Sequence, residues 1–487
     1  MRITPILIAA FVHCIAPVTA AQNMYPNEKA IVFEANSGDT TEAIEGYFMV
    51  PENRNNPDSR DIRVNYVRFP ALTEAAANNA PIVYLAGGPG GSGIGTAKWR
   101  RFPLFQAMRQ HADVIALDQR GTGASEQAEE CVSSITLPLN QVATMEHVSS
   151  AYTSAATECF TRWKSQGIDV YGYTTVQNAL DIDDLRKHLG ADKVSLWGIS
   201  YGSHLALAAM KLLPDHIDRV VLASVEGLDQ TVKLPQRTDD YFAAVQAVID
   251  QQPLKAMVPD LPALMRSVHN KLEKQPLSVK IPNRDGSTTT MLFQKGDMQA
   301  LASMMIADPG QYLAMLIHTY LSLSANDTGL LMSILQRGMF NEAPLSFRLM
   351  PLAMDAASGI TSERLALVEQ QAKSSLLGLM LNFPMPMLND FDAALDLGDD
   401  FRQKPQSTIP TLVFSGSLDG RSYPSEQAQA VAGLTNLTHI EVHYAGHNLF
   451  MASPEVLNRM HMFFAGKEVS NASIMLPLPN LSLSRPE

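Results

Sequence analysis

"VSLWGISYGSHLALAAM" (residues 194–210) decides the fold. An apolar run ends in Gly-Ile-Ser-Tyr-Gly, and helix-forming residues follow at once. A buried strand that turns directly into a helix through glycines presents the intervening Ser200 above the sheet. Gly198 and Gly202 leave room for strand and helix to pass closely, and the helix N-terminus points at the hydroxyl. The pattern alone is weak; strand before and helix after give it meaning.

The flanking sequence has the texture such a turn requires. "APIVYLAGG", "ADVIALDQRG" and "DRVVLASVEG" are short buried strands, and "TTVQNALDIDDLRKHLG" is an amphipathic helix ending at Gly190. Strands alternating with helices predict crossover units and a mostly parallel sheet. Upstream, "KAIVFEA", "EGYFMVPEN" and "DIRVNYVRFPA" read as antiparallel strands joined by polar turns. The alternation stops near Glu226. Mostly helical sequence follows, containing more than half of the 24 methionines. Alternation resumes at "TIPTLVFSGSLDG". The expected organisation is therefore a signal peptide (1–21), a first part of an α/β core (22–225), a helical cap insertion (226–406), a second part of the core (407–466) and a flexible tail (467–487).

A serine hydroxyl needs a base and an orienting acid. In this architecture the order along the chain is Ser, acid, His. Asp419 ends "TLVFSGSLD" and His447 follows "HIEVHYAG", both in loops after strands. Asp390, Asp392 and Asp396 compete for the acid's role but precede the strand; His443, the rival histidine, lies within one. A negative intermediate needs backbone donors. Tyr201 supplies one, directly after the nucleophile. "LAGGPGGSG" (85–93) supplies the other, from Gly88 first and Gly87 second. That loop lacks the terminal Lys-Ser or Lys-Thr of a phosphate-cradling loop.

The motifs "GGPGG", "DQRGTGAS" and "GISYG", in this order, resemble the prolyl and tripeptidyl aminopeptidases of the α/β-hydrolase fold. The resemblance spans about residues 45–225 and 408–465. It implies Ser200, Asp419 and His447 as a triad, Gly88 and Tyr201 as oxyanion donors, a helical cap over the site, and short peptides as substrates. Ala86 stands where many prolyl members have His, which is more similar to the exported tripeptidyl group. Asp118 and Arg120 are expected to tie loops beneath the site. Holding a free ammonium requires a carboxylate; Glu226, at a strand end, is the candidate, with Asp229, Asp239 and Asp240 as alternatives. The same machinery would also serve an esterase. No cofactor or metal is called for.

Composition agrees with a globular, exported protein. The net charge of −12 over 487 residues argues against nucleic-acid partners. The opening "MRITPILIAAFVHCIAPVTAAQN" reads as a secretory signal, not a membrane anchor. Once it is cleaved, Cys131 and Cys159 remain, a pair suited to a disulfide in the periplasm or outside the cell; two buried thiols are the alternative. The oligomeric state and the residue preference are not legible.

Overall fold

A computed structural model describes residues 24–282, 286–388 and 391–483. The proposed signal segment lies outside them.

Ten strands form one sheet: β1 (Lys29–Glu34), β2 (Thr40–Pro51), β3 (Asp61–Phe69), β4 (Ile82–Leu85), β5 (Val114–Leu117), β6 (Val194–Ser200), β7 (Ile217–Val225), β8 (Thr411–Gly416), β9 (Leu437–His443) and β10 (Ile474–Met475). Their spatial order is β1-β2-β3-β5-β4-β6-β7-β8-β9-β10. The first three strands and the β3–β5 pair are antiparallel. Every pair from β5 through β10 is parallel. Both faces of the parallel part are covered. Leu196 of β6 packs into one core layer, while Trp197 and Ile199 pack into the other. This is why those strands read as continuous apolar runs rather than alternating ones.

The segment predicted as one helix between β4 and β5 is two, Gly93–Lys98 and Phe102–Met108, separated at Trp99–Arg101. The inserted region carries ten-to-fifteen-residue helices such as Pro235–Ile249, Leu261–Lys274 and Leu349–Ser358. It also holds an antiparallel hairpin, Leu277–Pro282 with Thr288–Phe293, which a helical reading missed. Its interior is a separate apolar cluster around Phe242, Met265, Phe293 and Tyr320.

The tail corrects an expectation. Instead of lying loose, its described residues 467–483 add β10 to the sheet edge beside β9, and Leu481 is fully buried in the cluster of the inserted region. Its apolar residues recur among prolines at intervals that match neither helix nor strand, so periodicity did not reveal their burial.

Cys131 and Cys159 form a disulfide that fastens a short strand to the helix Met145–Ser165. Among the described residues no helix is long and apolar enough to cross a membrane.

Candidate active site

The carboxyl ends of the central strands meet at one edge, because the parallel registers align them: Leu85 lies opposite Gly198, and Ser200 opposite Val225. The residues just beyond these ends become neighbours. Ser200 itself sits at φ 55°, ψ −129°, a conformation that a non-glycine residue adopts only when its surroundings impose it. The glycines explain how. A Cβ on Gly202 would lie 2.1 Å from the Leu85 carbonyl oxygen, and one on Gly198 would lie 2.5 Å from the Gly202 carbonyl oxygen. Backbone cannot yield as a side chain can. Gly202→Ala is therefore expected to cost about 3 kcal/mol and to displace Ser200. Thermal melting and turnover should fall together, and a variant melting like the wild type would contradict this account of the turn.

Gly87 is held against the same turn: a Cβ there would meet the Ile199 carbonyl oxygen at 2.9 Å and Ser200 Cβ at 3.0 Å. Gly87 and Gly88 line the cavity onto which Ser200 opens. The loop is anchored from below. Asp118 accepts hydrogen bonds from Ser92 Oγ (2.6 Å), the Ile94 amide (3.0 Å) and the Ala124 amide (2.7 Å). Arg120, fully buried, grips Asp181 with two contacts of 2.6 Å and donates to the carbonyls of Glu52 and Gly172. The DQRG turn is thus a structural tie, and neither charge lines the cavity.

His447 and Asp419 meet as a pair. His447 Nδ1 lies 3.0 and 3.1 Å from the two Asp419 carboxylate oxygens. Asp419 is almost fully buried and also accepts from the amides of Arg421 (2.8 Å) and Ser422 (2.9 Å). A carboxylate facing Nδ1 favours the tautomer with its proton there, which leaves Nε2 as the basic nitrogen. His447 opens onto the same cavity as Ser200.

The histidine loop is clamped by residues that sequence reading passed over. The His447 amide donates to the Ala307 carbonyl (2.9 Å), and the Asn448 amide to Asp308 Oδ1 (3.0 Å). Gly420 and Gly446 allow residues 306–308 to press against both loops; a Cβ on Gly420 would meet the Ile306 carbonyl oxygen at 2.2 Å. The competitors lie elsewhere. Asp392 pairs with Lys164 and Asp396 with Arg402, Asp390 is outside the described residues, and the half-exposed His443 faces Glu441.

The shared cavity holds about 440 Å³. Besides the residues above it is lined by Glu226, Lys233, Asp355 and Arg421. Glu226 is buried and already bonded to the Lys233 ammonium. Asp355 comes from the helix Leu349–Ser358, whose Pro351 packs over Gly90. The Asp355 carboxylate has no hydrogen bond or ion pair among the described residues. Burial, reinforced by the neighbouring Glu226 charge and opposed by Lys233, pushes its pKa up to about 7. Burial also lowers the pKa of Arg421. The other acids weighed from the sequence are committed outside the cavity: Asp229 holds Thr361, Asp239 holds the Leu376 amide and Arg266, and Asp240 pairs with Arg237. Sequence reasoning missed Asp355. The available signal was a lone acid in the otherwise apolar helix "LMPLAMDAAS".

Residues 80–454 match the family described as the alpha/beta hydrolase fold. The chain belongs to that family. Among curated proteins it is similar to a tripeptidyl aminopeptidase of Streptomyces lividans, with 29% identity over 223 residues, 40% of this chain and 40% of that protein. It is also similar to the serine protease Hip1 of Mycobacterium tuberculosis, with 26% identity over 191 residues, 37% of this chain and 35% of that one. The matches thus span about two fifths of the length of these relatives. Among solved structures, MGS-M2, an alpha/beta hydrolase enzyme from a Medee basin deep-sea metagenome library, aligns with a TM-score of 0.40 and 16% identity, covering 84% of this chain and 96% of that one.

Proposed function

We propose that the chain is an exported serine aminopeptidase, of prolyl or tripeptidyl type, that releases amino-terminal residues from short peptides through an acyl-enzyme. One observation carries the reading: Ser200, the Asp419-bound His447 and the acidic pair Glu226 and Asp355 open onto a single cavity. Ser200 Oγ attacks the scissile carbonyl as His447 Nε2 takes its proton. Asp419 holds the imidazole and stabilises the imidazolium that forms. The amides of Gly88 and Tyr201 receive the oxyanion. His447 then returns the proton to the departing amine, activates water against the acyl-enzyme, and no cofactor takes part.

At the far end of the substrate, the free ammonium is met by the acidic pair. Lys233 already neutralises Glu226, so Asp355 supplies the uncompensated charge and Glu226 fixes its surroundings. The curated relatives named as peptidases support the reaction class. Export is supported by the amino-terminal pattern and by the disulfide, which suits an oxidising compartment.

The Lys233–Glu226 pair also favours a second reading, an acyl esterase with no need for an amine. The test uses the purified mature protein with peptide anilides bearing a free or an acetylated amino terminus, beside a short-chain ester. The aminopeptidase reading expects turnover of the free-amine substrate at least about 100-fold above its acetylated twin, the worth of a charge-assisted contact in a desolvated site. Ester turnover with indifference to the amine would leave the esterase.

A further inference from the structure

A second cavity, of about 370 Å³, lies behind the wall of the catalytic one. Phe383 borders both. Its ring packs edge-on against Tyr152 of the helix Met145–Ser165, with centroids 4.6 Å apart and planes at 79°. The chamber behind is faced by Met145, Met291, Met339 and Met380, together with Leu139 and Leu345. Several other methionines of the inserted region, such as Met265, Met298 and Met305, fill its buried core. Met145, Met339 and Met380 line a space, together with Met291 from the edge of that core.

The position of the wall relative to the site is fixed. Asn382, next to Phe383, is tied to the backbone of Lys233 by two hydrogen bonds of 2.7 Å: its Oδ1 accepts from the Lys233 amide and its Nδ2 donates to the Lys233 carbonyl. Lys233 in turn bonds Glu226. Phe383 therefore stands at the acidic end of the catalytic cavity.

From this arrangement we infer that the methionine-lined chamber is a specificity pocket for the side chain of the substrate's amino-terminal residue, and that Phe383 is its gate. The inference rests on the aminopeptidase reading, because only an anchored amine places that side chain beside Phe383. With the ammonium held by Asp355 and Glu226, the chain of the peptide runs toward Ser200, and its first side chain has the Phe383 wall beside it. Small side chains stay within the catalytic cavity. Large apolar ones turn the ring and enter the chamber. Methionine suits the task, since its unbranched, polarisable side chain re-packs around guests of different shape.

The test compares two free-amine peptide anilides of the length the wild type accepts, identical except for a first residue of alanine or naphthylalanine. The readout is the ratio of their kcat/KM values, which does not depend on the folded fraction of a variant. Phe383→Ala is expected to raise the naphthylalanine-to-alanine ratio by about tenfold or more, the scale on which an apolar pocket discriminates by size. Met339→Trp fills the chamber without touching the catalytic cavity. It is expected to lower the ratio by a similar factor and to cancel the gain when combined with Phe383→Ala. A gain that survives Met339→Trp would mean that Phe383 merely enlarges the catalytic cavity, and would overturn the chamber's role. So would a ratio unmoved by either substitution in an enzyme that turns over free amines. A wild type that hydrolyses the short-chain ester but neither anilide would instead overturn the aminopeptidase reading, and this inference with it.

Discussion

Ser200→Ala is expected to lower kcat/KM for a free-amine peptide by at least about 10⁴-fold, with melting within a few degrees of the wild type. The size follows from what is lost. Ser200 lines the cavity from the turn bent to φ 55°, whereas the Tyr201 hydroxyl is buried against Met354 and Ser203 Oγ bonds the Ser200 carbonyl, so covalent catalysis ends while backbone donors and binding groups remain. Those residual groups hold activity above the uncatalysed rate. Stability changes little because the side chain is half-exposed to the cavity and alanine meets the same backbone strain as serine. Binding of an intact peptide, measured calorimetrically, should survive. A variant that keeps a tenth of wild-type turnover would remove Ser200 from the chemistry.

Asp355→Asn is expected to raise KM for free-amine peptides by about 100-fold near neutral pH, where the substrate amine is still protonated, the loss of one charge-assisted contact, while leaving ester turnover nearly intact. A pH series makes the effect specific. The Asp355 pKa lies near 7, raised chiefly by burial. In the wild type the ratio of peptide to ester kcat/KM should climb as pH rises through about 7, because the carboxylate that binds the ammonium is then formed. Taking the ratio cancels the pH dependence that both substrates share. In the variant that climb should disappear.

Stability supplies an independent reading of the same residue. A carboxylate whose folded pKa is raised binds its proton more tightly in the folded state. Its cost is therefore absent below the unfolded value of 3.8, grows as pH rises, and is complete above about 7. Asparagine removes that cost. The variant should be more stable than the wild type by about 2 kcal/mol near pH 8, allowing for screening in a cavity open to water, and equal to it near pH 4. Destabilisation at both pH values would show that Asp355 is a structural carboxylate with partners of its own.

Local pattern sufficed to place a residue wherever its position is set by its immediate neighbours along the chain. Ser200 is recognisable because strand, glycine, serine, glycine and helix are contiguous, and its φ of 55° is a consequence of that contiguity. Asp419 and His447 are recognisable because each directly follows an apolar strand, and parallel strands place such positions on one edge. The cysteine pair was legible from its even count and the expected compartment. Local pattern failed where a partner is brought in by the folding of the chain. Glu226 looked like a free carboxylate at a strand end; seven residues on, Lys233 folds back to neutralise it. Asp355 sits in an apolar helix, and only the docking of that helix over Gly90 brings it to the cavity. The clamp at 306–308 follows from glycines that admit a backbone from another part of the chain. The tail, irregular in sequence, is ordered by the sheet edge it completes and by the apolar cluster that buries Leu481. Sequence thus determined which residues stand at single strand-to-loop junctions, because backbone geometry there is local. The tertiary structure alone decided which charges remain unpaired and which cavities adjoin, because both depend on what packs against a residue from the rest of the chain.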